Sequence, residues 1–285
     1  MSKTLKLAAI ALAASLPCNA AFAAWTLNMT TGVTELSRDI HGLHMMVLWI
    51  CVAIAVAVFG AMIYSLVKFR HSQGAVAAQF DHSTKVEVVW TIIPIAILVF
   101  MAVPAAETLV KIEDTRNSDL TVKVTGYQWK WHYDYMDQGV NFYSTLARTS
   151  NEARQLHSGI DPNTVDNYLL EVDHPLVVPA GKKVRILLTA ADVIHAWWVP
   201  QFGMKKDAIP GYINQLWFKA DTPGTYRGQC AELCGRDHAF MPVVVEVKSE
   251  EDFNNWIRTQ QQNAQPVSQV ASVQGAANTT LAKAE

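Results

Sequence analysis

Gly228–Pro242 reads GQCAELCGRDHAFMP. Within it stand Cys230, Glu232, Cys234, His238 and Met241, so two thiols, an imidazole and a thioether share one short segment. Thiolates and a thioether are soft donors, and a methionine suits a copper that passes electrons better than it suits zinc. The run before it, Asp221-Thr-Pro-Gly-Thr-Tyr, is a turn leading into a strand, and Pro242–Val247 after it is β-branched. The string therefore reads as a loop between two strands, a usual place for ligands on a rigid scaffold.

The loop needs a further strong donor. His195 is the candidate, in Asp192-Val-Ile-His-Ala-Trp-Trp-Val-Pro, at the end of a β-rich run among bulky apolar residues that exclude water. Four readings of the set compete. A Cys230–Cys234 disulfide suits an oxidising compartment, but leaves His238 and Met241 without a role. A two-Cys, two-His zinc site lacks the usual close Cys pair and has little use for Met241. A single blue copper needs one cysteine, so the second is surplus. Two thiolates bridging two copper ions use every donor, with His195 and His238 terminal and Met241 and the Glu232 carbonyl as weak extra ligands. Spreading one electron over two metals lowers the reorganisation that accompanies transfer, which favours the binuclear reading.

Outward from the loop, Leu120–Val124, Tyr168–Val172 and Val184–Leu188 also read as strands. Pro179-Ala-Gly181 and Pro223-Gly224 predict hairpins. The expectation for 111–258 is an all-β antiparallel sandwich or barrel, interrupted by a polar surface excursion over Ser144–Asn167. Residues 259–285, rich in Gln, Ala, Ser and Thr from Gln262 onward, are expected to form a disordered tail.

Towards the N-terminus the chain turns apolar. Lys3 and Lys6, the run Leu7–Leu16 and Ala21-Phe22-Ala23 predict a signal peptide over 1–23, cut near Ala23. A lipoprotein acylated at Cys18 is the alternative, although Ser15 is a poor residue for that signal. Two apolar runs follow within 24–110, at about 43–67 and 86–110; each is long enough to cross a hydrocarbon core of about 30 Å. Lys68, Arg70 and Lys85 against Asp81 place the loop between them in the cytoplasm. Everything after Val110 then lies outside, in a periplasm. Glu87 opens the second run. As a first-turn acid it suits the helix dipole; as an ionisable group at membrane depth it also invites a proton-path role. His41 and His44 are expected at the outer interface. Neither run carries a histidine placed to ligate haem, so haem chemistry belongs to another chain. The net charge of −2 gives no case for nucleic acid.

The string C-x-E-x-C-G-x-x-H-x-x-M, the upstream D-V-I-H, the two apolar runs and the signal peptide together resemble subunit II of cytochrome c oxidase, from Trp25 to about Ile257. The resemblance implies a two-helix membrane hairpin followed by a cupredoxin-like barrel in the periplasm of a bacterial inner membrane. It implies a binuclear copper centre, CuA, on His195, Cys230, the Glu232 carbonyl, Cys234, His238 and Met241. Trp129, in GYQWKWHYDY, matches the tryptophan that receives electrons from cytochrome c. It is expected exposed, with Trp131, alternate to it on a strand, buried. The Glu232 carboxylate and Asp207, in KKDAIPG, match residues around a magnesium ion shared with subunit I. Glu87 matches a glutamate at the mouth of a proton channel, which reverses the plainer reading of that residue.

The implied activity is electron transfer from a soluble or membrane-bound cytochrome c through the copper pair to haem in subunit I. There oxygen is reduced to water and protons are pumped; subunit III is a further expected neighbour. The outer domain is only slightly acidic, so docking needs a local patch, with Asp134, Asp137 and Asp173 as candidates. Two features depart from the family pattern. Tyr212 follows Ile-Pro-Gly where many members have arginine, and Ser144–Asn167 is longer and more polar than in short members. No Cys-x-x-Cys-His follows the barrel, so no fused cytochrome c is expected. The rival function is a membrane-anchored copper-binding or delivery protein, which would not need the tryptophan or the interface acids.

Overall fold

The computed structural model describes residues 28–264. The expected signal peptide, its cleavage site, Cys18 and the tail beyond residue 264 lie outside the described residues.

Two long helices come first, α1 (Glu35–Lys68) and α2 (Thr84–Glu113). Both outrun the apolar stretches from which they were expected. At 1.5 Å per residue the 34 residues of α1 span about 50 Å, so its outer turns reach beyond a bilayer core. Those turns serve the β-domain. Thr34 and Ser37 form a reciprocal capping box at the start of α1, and the Thr34 hydroxyl also donates to the Phe202 carbonyl at 2.9 Å. Leu36 is fully buried in the domain core. At the end of α2, the Lys111 carbonyl accepts from Trp217 Nε1 at 3.1 Å and Glu113 pairs with Lys206 at 2.8 Å. Lys111 also bonds Glu35 and Asp39 across the two helices. The central stretch of each helix is apolar, yet none of that stretch is buried within the chain. A soluble helix of that composition would hide its surface in a core, so lipid or another subunit must cover this one.

The β-domain holds ten strands: β1 (Leu120–Tyr127), β2 (Lys130–Tyr135), β3 (Val140–Ser144), β4 (Leu176–Pro179), β5 (Val184–Ala190), β6 (His195–Val199), β7 (Met204–Ala208), β8 (Asn214–Phe218), β9 (Gly224–Cys230) and β10 (Pro242–Lys248). They form two five-stranded sheets, ordered β3-β2-β1-β5-β8 and β4-β10-β9-β6-β7. Strict alternation puts one face of each inward, as in β5, where Val184, Ile186 and Leu188 are buried. Trp131, Tyr133, Tyr135, Trp197, Phe202 and Phe218 fill the space between the sheets.

Several expectations need correction. The sheets are mixed, since β1 runs parallel to β5 and β4 parallel to β10. The turns at 179–181 and 223–224 do not make hairpins. Each links strands of opposite sheets, β4 to β5 and β8 to β9, so the chain arches over the core edge. Tyr168–Val172 is no strand and contributes a single bridge, Leu146↔Val172. Trp129 and Trp131 do not alternate on one strand, because β1 ends at Tyr127 and Trp129 sits in the turn before β2. The Ser144–Asn167 excursion carries a short helix, α3 (Arg148–Ala153). Helix α4 (Glu250–Ala264) runs into the segment expected to be tail. It is ordered because Phe253 and Ile257 bury against the barrel and Trp256 packs on Tyr135, ring centroids 5.4 Å apart.

Candidate metal centre

The quoted string is the loop closing the β9–β10 hairpin. Cys230 is the last residue of β9, and its amide donates to the Met241 carbonyl at 3.2 Å, drawing the loop's two ends together. His195 opens β6, which pairs with β9 so that Trp197 faces Cys230. Two residues apart on a strand, His195 and Trp197 point to the same inner face, and both are fully buried. Strand pairing thus carries the distant histidine to the loop.

All six expected donors converge. The Cys230 and Cys234 sulfurs are 3.9 Å apart. Cys230 Sγ lies 3.9 Å from His195 Nδ1 and 3.4 Å from the Glu232 carbonyl oxygen. Cys234 Sγ lies 3.5 Å from both His238 Nδ1 and Met241 Sδ. Each thiol therefore has one imidazole and one weak donor beside it. The thiols are free; a disulfide would hold the sulfurs at about 2.05 Å. Two thiolates at the observed spacing can both reach a metal at about 2.3 Å on either side of the line joining them. Cys230, Cys234, Met241 and His195 are buried, so water is excluded.

Charge inside the pocket is uneven. Burial opposes ionisation of Cys230, but hydrogen bonds from His195 and the Ala196 backbone outweigh it and hold this thiol below its ordinary value. Burial pushes the Cys234 thiol up to about 12, and the neighbouring Cys230 sulfur adds to the push. Burial works against a charged His195, yet Cys230 and then Asp192 more than offset it, so its pKa is raised. A cation entering this site would replace protons with its own charge.

Three residues that the sequence reading did not single out shape the site. Asp192 Oδ1 is 2.9 Å from His195 Nε2, which fixes the ring with Nδ1 towards Cys230; orientation by a carboxylate is usual for metal-bound histidines. The other Asp192 oxygen accepts from the Gln128 amide at 2.7 Å. Gln128 Nε2 donates to the Cys234 carbonyl at 2.8 Å. Gly126 packs directly on the His195 imidazole. Asp192 had a local signal, three residues before His195; Gly126 and Gln128 had none, since their partners are far away in sequence.

Trp129 is half-buried rather than fully exposed. Its Nε1 donates to the Cys234 carbonyl at 3.2 Å, so the ring is tied to a ligand residue. Trp131 is buried, its ring edge-on to His195 at 5.9 Å. Glu232 turns its carbonyl to the thiols while its side chain is exposed. The Ala231 amide bonds the Ala196 carbonyl at 3.0 Å, and Ala196 pairs across the strand with Asp207, so Glu232 and Asp207 belong to one edge. Glu87 stands apart in the first turn of α2, where its carboxylate accepts from the Ser83 amide at 3.3 Å. Of the docking candidates, Asp134 and Asp137 lie in or beside β2. The Asp173 carboxylate is already engaged by Thr145 and the His174 amide.

Comparison with known proteins agrees with this geometry. The family described as "Cytochrome C oxidase subunit II, periplasmic domain" matches residues 120–248, and its "transmembrane domain" matches 23–107. The "Probable cytochrome c oxidase subunit 2" of Rickettsia bellii is 40% identical over 82% of this chain and 83% of its own. "Cytochrome c oxidase subunit 2" of Cereibacter sphaeroides is 40% identical over 79% of this chain and 77% of its own. The crystal structure of the periplasmic domain of subunit II of cytochrome oxidase from Bradyrhizobium japonicum is 42% identical. It covers 52% of this chain and 98% of its own, with a TM-score of 0.46. The β-domain is therefore the cupredoxin-like domain expected, with a copper site of CuA type, and α1 and α2 anchor it to a membrane. The chain belongs to the cytochrome c oxidase subunit II family and is a component of the oxidase complex.

Proposed function

We propose that the six converging donors, His195, Cys230, the Glu232 carbonyl, Cys234, His238 and Met241, would together hold two copper ions. The observation that carries this reading is the pair of buried thiols 3.9 Å apart, each with its own imidazole and its own weak donor. Copper bound there supplies a one-electron relay of low reorganisation. The chain's own residues do the rest. Asp192 fixes His195, burial excludes water, and Trp129 offers a surface ring bonded to the Cys234 carbonyl. A cytochrome c, soluble or membrane-bound, docks over that ring as donor, with Asp134 and Asp137 available to its basic surface.

The acceptor side is an apolar rim. Leu233 and Tyr212 are 77% and 59% exposed, and Ile194 and Ile213 are exposed as well. β7 ends where β6 begins, with Ala208 opposite His195, so the 209–213 loop emerges at the metal end. Unpaired apolar residues on such a rim support docking onto subunit I, with Glu232 and Asp207 supplying carboxylates for a magnesium ion between the subunits. Subunit III completes the assembly. In this reading the anchor lies in a bacterial inner membrane, 1–23 is the signal peptide, and 111–258 is periplasmic. Glu87 stands at the mouth of a proton channel on the cytoplasmic face. A copper-delivery role would leave the bond from Trp129 to the ligand loop without a purpose.

Electron spin resonance of the copper-loaded, detergent-purified chain tests the reading. One unpaired electron shared by two copper nuclei is expected; a spectrum confined to one copper, or stoichiometric zinc, would sink it.

A further inference from the structure

The Ser144–Asn167 excursion does not float on the surface. Its neck is closed where the Ala147 amide donates to the Glu171 carbonyl at 2.9 Å and the Asp173 carboxylate accepts from the Thr145 amide and hydroxyl. Glu171 also pairs with Arg227 at 2.6 Å, three residues before Cys230 on β9. Buried Ser150 accepts from the Leu169 amide and pins α3 to the returning chain. The far end of α3 then delivers Arg154 to the metal loop.

Arg154 Nε donates to Asn151 at 2.8 Å, which sets the plane of the guanidinium. One terminal nitrogen lies 3.7 Å from Asp237 Oδ1, and the guanidinium carbon sits 4.1 Å from the centre of the Phe240 ring. Asp237 and Phe240 flank His238. Their own turn is closed by the Phe240 amide on the Asp237 carbonyl at 2.9 Å. The guanidinium therefore grips both ends of the turn that carries His238 and leads to Met241. Its side chain is 23% exposed and that of Asp237 19%, so the contact is partly shielded from solvent. Together with Trp129, Thr145 and Asn151 these groups enclose a pocket of about 170 Å³ against the ligand loop.

We propose that the excursion is a brace for the copper loop and that Arg154 is its positioning residue, acting through Asp237 and Phe240 on His238. The inference rests on the copper reading above and adds a controller of the centre that no ligand motif contains. Outer contacts to metal ligands typically change metal affinity by about ten- to a hundredfold. A lysine ammonium can keep the charge but not the broad guanidinium contact over the Phe240 ring.

The test uses the full-length chain in detergent. In R154A the copper electron spin resonance and charge-transfer bands should shift, the midpoint potential should move, and copper should be lost to a chelator roughly tenfold faster. R154K should recover only part of this. Arg236→Ala is the control. Arg236 reaches the same Asp237 at 3.6 Å but is 82% exposed, and its loss should change none of these readings. If R154A folds poorly, Phe240→Leu keeps the apolar bulk and removes the ring face, and should shift the same readings. Wild-type spectra, potential and chelator rate in R154A, or in F240L where R154A does not fold, would overturn the brace alone. A wild-type chain that takes up no copper would overturn the metal reading and the brace with it.

Discussion

Gly126→Ala adds one methyl group against the His195 ring. A Cβ there would lie 2.8 Å from His195 Cδ2, 3.0 Å from Cγ and 3.2 Å from Cβ. Carbon atoms rest at about 3.5–4.0 Å, so the ring or the strand must yield by roughly 0.7 Å. Gly126 has an ordinary backbone angle, so alanine brings no conformational strain of its own. The ring has little freedom: it is fully buried, held by Asp192 at 2.9 Å and packed edge-on to Trp131. Overpacking of this kind costs about 1–3 kcal/mol. If the ring moves, His195 Nδ1 leaves its place, and a metal bond tolerates only about 0.2 Å. Thermal unfolding of the metal-free chain and electron spin resonance of the loaded chain separate the two outcomes. The expected result is a lower unfolding temperature together with an altered copper spectrum. Gly139→Ala is the comparison: it meets no atom within 4 Å but has a φ of +63°, so it should cost about 1–2 kcal/mol and leave the spectrum alone. A G126A chain with wild-type stability and spectrum would refute the packing argument.

Three further outcomes follow from the same geometry. Trp129→Phe removes the Nε1 bond to the Cys234 carbonyl, worth about 1 kcal/mol of ring ordering; stopped-flow oxidation of cytochrome c by the assembled oxidase should slow while the copper spectrum stays unchanged. Copper uptake should weaken as pH falls. Cys234, at about 12, is protonated at neutral pH and must release its proton to bind metal, so competition titrations should show about a tenfold loss of affinity per pH unit per proton released. Asp192→Asn removes the charged acceptor from His195 Nε2; chelator competition should show copper affinity down about tenfold or more, and unchanged affinity would remove Asp192 from the site.

The candidate donor set was legible because its residues are local. Five of the six donors lie in one loop, and His195 carried its apolar surroundings with it. What the sequence hid was pairing. Pro-Ala-Gly and Pro-Gly mark turns, but nothing in a turn says whether the next strand stays in its sheet, so two cross-sheet arches read as hairpins. The turn holding Trp129 has neither glycine nor asparagine at its centre, so GYQWKWHYDY passed for one strand. The helices outran their apolar runs because Thr34, Glu35 and Lys111 bond the β-domain and each other instead of facing lipid. The large apolar residues of α4 are Phe253, Trp256 and Ile257. Those stand at helical spacing, a signal outweighed by the glutamine-rich composition beyond it.

The same geometry suits this centre to relaying electrons. Both thiols, His195 and Met241 are buried. The route to the surface is made of hydrogen bonds. Asp192 holds His195 with one oxygen and the Gln128 amide with the other. Gln128 and Trp129 then converge on one acceptor, the Cys234 carbonyl. The β1–β2 turn of one sheet is therefore locked to two residues of the other, His195 at the start of β6 and Cys234 in the β9–β10 loop, and the surface ring cannot shift without disturbing them. A charge that develops near Trp129 meets a path to the thiols whose dipoles are already fixed by hydrogen bonds.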